Sequence, residues 1–215
     1  MLERPPLSLS AEVIDFCRSI FGTSGPLYVR ARPEKGAKQR DCFNIVKRRC
    51  QKSGGKIRYG WSIWEWPRVW LAAEHHGVWE HPNGDLFDLT PHSRHFNKIV
   101  FLPDDQQKYD FLSYKRIPNK WRLLQHDSDI DKCIASFMDI FIFEEEKTNP
   151  DTGVISMNSL EYKKLIHQNA INLAKIWLKY HDGNEPCICR SGKAAKACHG
   201  PTGFKFKDIN GNPIP

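Results

Sequence analysis

A three-residue loop, Pro82-Asn83-Gly84, separates two apolar runs that both read as strands, and its length decides which side chains share a face. Pro82 and Asn83 suit a type I turn, and Gly84 suits the left-handed position after it. If His81 then pairs with Asp85, Val78 lies opposite Asp88 and His76 opposite Thr90. His76 and Asp88 become diagonal neighbours on one face. A two-residue loop would part them. The hairpin belongs to a stretch, Lys56 to Pro91, holding Trp61, Trp64, Trp66, Trp70 and Trp79, five of the seven tryptophans. The alternation of Trp64 and Trp66 leaves two readings open: one strand face lining a substrate groove, or a core face.

A histidine within reach of a carboxylate is held in one tautomer and stabilised as a cation, which is what a general base requires. The segment before the hairpin offers a partner for it. Ser10 to Phe21 reads as a first helix, capped by Ser8 or Ser10 and ended by Gly22. Residues 22–41 read as a linker rich in Gly, Pro and basic residues, in which only Leu27-Tyr28-Val29 has strand character. A second helix starts at Asp41 or Cys42 and stops at Ser53-Gly54-Gly55. Cys42 therefore falls in its first turn, facing unpaired backbone N–H groups and the positive end of the helix dipole, with Arg40 beside it. These surroundings favour a thiolate.

The order of parts, a cysteine opening a helix, then His76 in His76-Gly77-Val78-Trp79, then Asp88 in Asp88-Leu89-Thr90-Pro91, resembles the transglutaminase-like and papain-like cysteine hydrolases. The resemblance covers about residues 38–103. It implies Cys42 as nucleophile, His76 as base and Asp88 as the group that orients the base. It also makes Gln39 a candidate oxyanion donor, since papain-like enzymes place a Gln shortly before the cysteine. The Gly and Trp surroundings usual for that cysteine are absent here, and His75 competes with His76, although adjacent strand residues point to opposite faces. The segment is also similar to a group of bacterial and phage proteins sharing its Tyr-Gly-Trp-x-Ile-Trp-Glu-Trp-Pro run and a zinc-knuckle tail.

Lys98 to Pro103 and Asn119 to Leu124 read as further strands, giving a small antiparallel sheet against the Cys42 helix. Residues 128–146 and 158–180 read as a pair of antiparallel helices. The first carries a stripe of Ile130, Ile134, Phe137, Met138 and Phe141. The second carries Leu165, Ile166, Leu173, Ile176 and Trp177, and opens on a capping box, Asn158-x-x-Glu161. Beyond them, Cys187, Cys189, Cys198 and His199 lie within thirteen residues, two on a Cys-x-Cys knuckle and two adjacent. Three thiolates and one imidazole make a closed tetrahedral zinc site, structural in kind. The segment closely resembles the SEC-C motif, the zinc tail named for the end of the secretion ATPase SecA, which implies a docking element for another protein or a ribosome.

Charge and composition set the outer limits. The net charge is +7, and residues 1–60 hold 13 Lys or Arg against 5 Asp or Glu, so the excess is N-terminal. That predicts at most weak, sequence-independent contact with nucleic acid. The longest apolar run, at residues 140–143, is too short to span a bilayer, and Met1-Leu-Glu-Arg-Pro-Pro lacks a signal pattern, so a cytoplasmic protein without membrane contact is expected. The seven cysteines suit metal binding better than disulfides. The expected whole is an α+β core over 1–125 with a papain-like or transglutaminase-like sheet packed on a central helix. A helical pair packed on that core follows over 126–182, and a zinc-binding tail over 183–215. The expected function is a cysteine hydrolase or acyltransferase acting on an amide or thioester of a protein substrate. The alternative is a non-enzymatic adaptor that binds protein or nucleic acid through the aromatic groove and the tail.

Overall fold

The computed structural model describes residues 3–22, 24–155, 159–181, 183–184, 193–194 and 197. The chain is of mixed α+β type and forms two compact units, one over Glu3–Leu124 and one from Gln125 onward. The first is built around a long hairpin, β2 (Lys56–Trp66) and β3 (Trp70–Glu80), paired over its full length from Lys56↔Glu80 to Trp66↔Trp70. Its turn uses Arg68 at φ 68°, and the rings of Trp66 and Trp70 meet edge to face, 4.9 Å apart. A pair of eleven-residue strands carries enough twist to bring their far edges round toward one another.

Three more strands complete the circuit. They are β1 (Leu27–Ala31), β4 (Leu86–Asp88) and β5 (Lys98–Pro103), and the ring runs β2-β5-β1-β4-β3 before closing through β2–β3. The expected small antiparallel sheet is thus corrected: it closes into a five-stranded, barrel-like ring, and β1 pairs with β4 in parallel, Arg30 opposite Phe87. The polar linker of 22–41 contains one of these strands. β1 is held by backbone pairing on both edges, so Val29 alone of its residues needs to be buried. A sixth strand, β6 (Lys120–Leu123), adds to the start of β3 outside the ring.

Strand alternation divides the side chains between the two faces of the ring. Trp61, Ile63, Leu71, Ala73, Val100 and Leu102 face outward, beneath Val13, Phe16 and Cys17 of α1 (Ala11–Ile20). Ile57, Trp79, Phe87 and Leu89 also face outward and receive Ile45 and Val46 of α2 (Cys42–Ser53). The other parity, which includes Ser62, Trp64, Glu74, His76 and Asp88, faces the interior. On the β3 edge away from β2, β6 pairs with residues 70–73 and β4 with 79–80. Among the described residues no strand pairs 74–78 on that edge, and His76 stands in the gap.

The second unit pairs α3 (Ser128–Glu146) with α4 (Leu160–Tyr180). Its buried faces differ from the predicted stripes. α3 buries Ile130, Cys133, Ser136, Ile140, Phe143 and Glu144, and α4 buries Tyr162, Asn169, Asn172, Ala174, Ile176 and Trp177, while Ile166 is exposed. Polar positions are admitted because each finds a partner: Tyr162 donates to Glu144 at 2.8 Å, and Asn169 to Ser136 at 2.8 Å. The α4 cap is Ser159, whose hydroxyl accepts from the Tyr162 N–H at 3.1 Å; Asn158 lies outside the described residues. No described helix is long and apolar enough to cross a membrane.

The seating of α2 on β3 depends on Gly77. A Cβ at this position would stand 2.9 Å from the Phe43 ring, which also stacks on Tyr109 at 4.4 Å. Gly77→Ala should therefore destabilise the unit by about 1–3 kcal/mol in urea unfolding. The double variant with Phe43→Ala should lose less than the sum of the single losses, because removing the ring removes the clash.

Candidate functional site

His76 is 3% exposed and Asp88 is fully buried, so their meeting is a property of the ring interior. The hairpin closes as its loop length requires: the His81 N–H donates to the Asp85 carbonyl and Gly84 takes φ 91°. The ladder then runs Glu80↔Leu86 and Trp79↔Phe87, which sets Asp88 one step further on, diagonal to His76. The His76 Nε2 lies 3.0 Å from Asp88 Oδ1. The Cys42 thiol acts on the same imidazole by charge and by hydrogen bonding, and both raise its pKa. With Nε2 directed at the carboxylate, Nδ1 is the ring nitrogen left for the thiol.

Cys42 reaches this position from the first turn of α2. The Asp41 cap makes no side-chain bond to the backbone N–H groups of that turn; its oxygens accept instead from Asn44 at 2.7 Å and Arg48 at 3.3 Å. The N–H groups at the helix start thus receive no hydrogen bond from the cap side chain. Cys42 itself is 8% exposed. Gln39 lies in an exposed turn ahead of the helix.

The second face of β3 separates the two adjacent histidines. His75 points outward, its Nε2 2.6 Å from the Gln107 carbonyl and its ring 4.8 Å from Phe43. Burial holds its pKa below the ordinary value, so it serves as a neutral donor to that carbonyl. For His76, burial likewise opposes the charged form, but Cys42 and Asp88, by charge and by hydrogen bonding, outweigh it and hold the imidazole well above its usual range. Burial would raise the Asp88 pKa; the two histidines facing it bring it far below the usual carboxylate value.

The second of those histidines is absent from the sequence-based reading. His92 Nε2 lies 2.6 Å from Asp88 Oδ2, and the Thr90 N–H donates to Oδ1 at 3.0 Å. An ionised carboxylate only accepts, so both imidazoles present an N–H to it. The signal was legible as a four-residue spacing, Asp88 to His92, but Pro91 between them removes the regular periodicity by which such a pair is read. Trp64 backs His92 edge to face at 5.1 Å and donates to Glu74 at 3.2 Å. The tryptophan alternation thus corresponds to an interior face supporting the site, whereas Trp61 lies in the outer core.

The arrangement can take a proton from a thiol, hold it on an imidazole beside a fixed carboxylate, and direct backbone N–H groups toward a developing oxyanion. Among the described residues no group of three or more His, Cys, Asp or Glu is placed to hold a metal ion. Cys187, Cys189, Cys198 and His199 lie outside the described residues.

Since the folded pKa of His76 lies above its ordinary value near 6.5, the charged ring contributes stability in full below that pH and loses it as pH rises through the folded pKa. The urea midpoint should therefore fall as pH rises above about 6.5, and His76→Gln should flatten that fall. Asp88→Asn should bring the imidazole titration, followed by NMR, back toward its ordinary range. Residues 184–201 match the model of the SEC-C motif, which is associated with metal binding. No curated protein and no solved structure matches the chain.

Proposed function

We propose that this chain is a cysteine hydrolase or acyltransferase acting on an amide or thioester, with a core of papain-like or transglutaminase-like kind. The observation that carries the reading is a single imidazole, His76, held 3.0 Å from the buried Asp88 carboxylate and raised in pKa by Cys42 as well as by Asp88. Cys42 sulfur attacks the carbonyl carbon with its proton already passed to His76 Nδ1, where the raised pKa of the imidazole holds it. The oxyanion is met by the N–H groups opening α2, with Gln39 as a further candidate donor. His76 then returns the proton to the departing amine or thiol, leaving an acyl-thioester on Cys42 that water or an amine resolves. Asp88, itself anchored by His92 and Thr90, keeps the ring oriented and stabilises its cation.

The burial of Cys42 favours a second reading, a catalytically silent adaptor in which the same cluster is only a polar core. Reactivity separates the two. Brief alkylation at about pH 6 followed by mass mapping should label Cys42 first among the described thiols, because an imidazole adjoins it, whereas burial raises the Cys17 pKa to about 12, raises that of Cys50, and leaves Cys133 with no exposed surface. His76→Ala should slow that labelling by tenfold or more, on the order of a general-base contribution, and Asp88→Asn by less. An unlabelled Cys42, or one indifferent to His76→Ala, gives first place to the adaptor.

The C-terminal segment supports a separate assignment. A cysteine-rich stretch too short for a core of its own gains folding energy from a metal, and three thiolates with one imidazole suit zinc. Cys187, Cys189, Cys198 and His199 would hold one structural zinc and thereby shape a docking surface for a protein partner. Metal analysis of the purified chain should find about one equivalent, falling in Cys198→Ser with circular dichroism of the core unchanged.

A further inference from the structure

We infer that the substrate of this site is an acidic polypeptide, selected by a cationic strap that runs between two of its residues. The inference rests on the acyl-transfer reading above and adds the substrate's charge class. The strap is the segment Arg32–Asp41. At one end the Arg32 N–H donates to the carbonyl of Asp88 at 2.7 Å, and the Glu34 N–H to that of Leu89 at 3.1 Å. At the other end the next residue is Cys42. The segment is therefore tied at one end to the backbone of Asp88 and Leu89 and runs at the other directly into Cys42.

Its charges are unbalanced. Arg32, Lys35 and Lys38 are all exposed. Its two acids are neutralised from behind by α2: Glu34 accepts from Arg49 at 2.5 Å, and Asp41 from Arg48 at 3.3 Å. Arg32 lies over the Phe87 ring, 4.5 Å from its centre, a contact that fixes the guanidinium and leaves its charge in place. Cations spaced along so short a segment act together within roughly a Debye length of 8 Å, and the segment leads straight into the residue that bears the thiol. Nucleic acid would meet the same potential, but a thiolate nucleophile forms its intermediate at an acyl carbon, which a phosphodiester backbone does not offer. The anion therefore belongs to an acyl compound, and Asp and Glu side chains flanking the reacting carbonyl supply it.

The test compares two alkylating reagents that differ in charge, iodoacetate and iodoacetamide, on the full chain at low ionic strength with Cys42 followed by mass mapping. In Lys35→Glu/Lys38→Glu the iodoacetate rate should fall on the order of tenfold while the iodoacetamide rate stays within about twofold. Added salt should erode the wild-type preference in the same way, and a glutamate-rich peptide should protect Cys42 better than a lysine-rich one. If both reagents slow equally, or the glutamate-rich peptide gives no protection, the charge selection is wrong although the thiol is active. Protection by a single-stranded oligonucleotide of matched charge but not by the peptide overturns the inference in favour of nucleic acid. A Cys42 inert to both reagents removes the acyl-transfer site, and the substrate class with it.

Discussion

Asp88 has no exposed surface and three hydrogen-bond donors, and an ionised carboxylate in such a place is tolerable only because all three are present. Each donor comes from a different piece of architecture. His76 comes from the far strand of the hairpin, the Thr90 N–H from the turn of the chain leaving β4, and His92 from beyond Pro91. Even the backbone of Asp88 is engaged, its carbonyl holding the segment that leads into α2. A buried charge of this kind requires the ring to close in one register, since a slip of one residue would exchange Asp88 for Phe87 or Leu89 and put the carboxylate in the outer core.

That dependence explains why the same few residues carry both the fold and the site. Gly77, between His76 and Val78, leaves room for Phe43, and Phe43 brings Cys42 alongside His76. The gap in the β3 edge, which a longer β4 would fill, is where the imidazole meets the helix start. The interior tryptophans are stiff apolar supports that also satisfy polar groups, Trp64 serving Glu74 and Trp70 serving Glu3 at 2.7 Å. Burial raises the Glu3 pKa to about 7, so a carboxyl group bonded to Trp70 changes its charge near neutrality.

The diagonal relation of His76 and Asp88 was legible in the sequence because loop length alone dictates register in a tight hairpin. The placement of Cys42 in a first helical turn was legible because the stop at Gly54 and the apolar spacing of Ile45 and Val46 leave little freedom upstream. β1 was not, since a strand paired on both edges needs one buried side chain and its neighbours read as linker. Ring closure was hidden for the same reason: it rests on a parallel pairing between distant segments that no local pattern announces. The faces of α3 and α4 were misjudged where hydrogen-bonded polar pairs, Ser136 with Asn169 and Glu144 with Tyr162, replace apolar positions.

The strand order also governs how the molecule can be made. β2 and β3 are neighbours in the chain and can pair as soon as both exist, whereas β1 is bonded to Phe87 on one side and to Phe101 on the other. During synthesis β1 therefore emerges before both of its sheet partners and lacks the second of them until β5 has followed. Distant pairings of this sort close late and slowly, after local structure has formed. The thiol is thus translated ahead of both its imidazole and its carboxylate, and the chemistry attributed to the three comes into being in one step, when the last strand of the ring is in place.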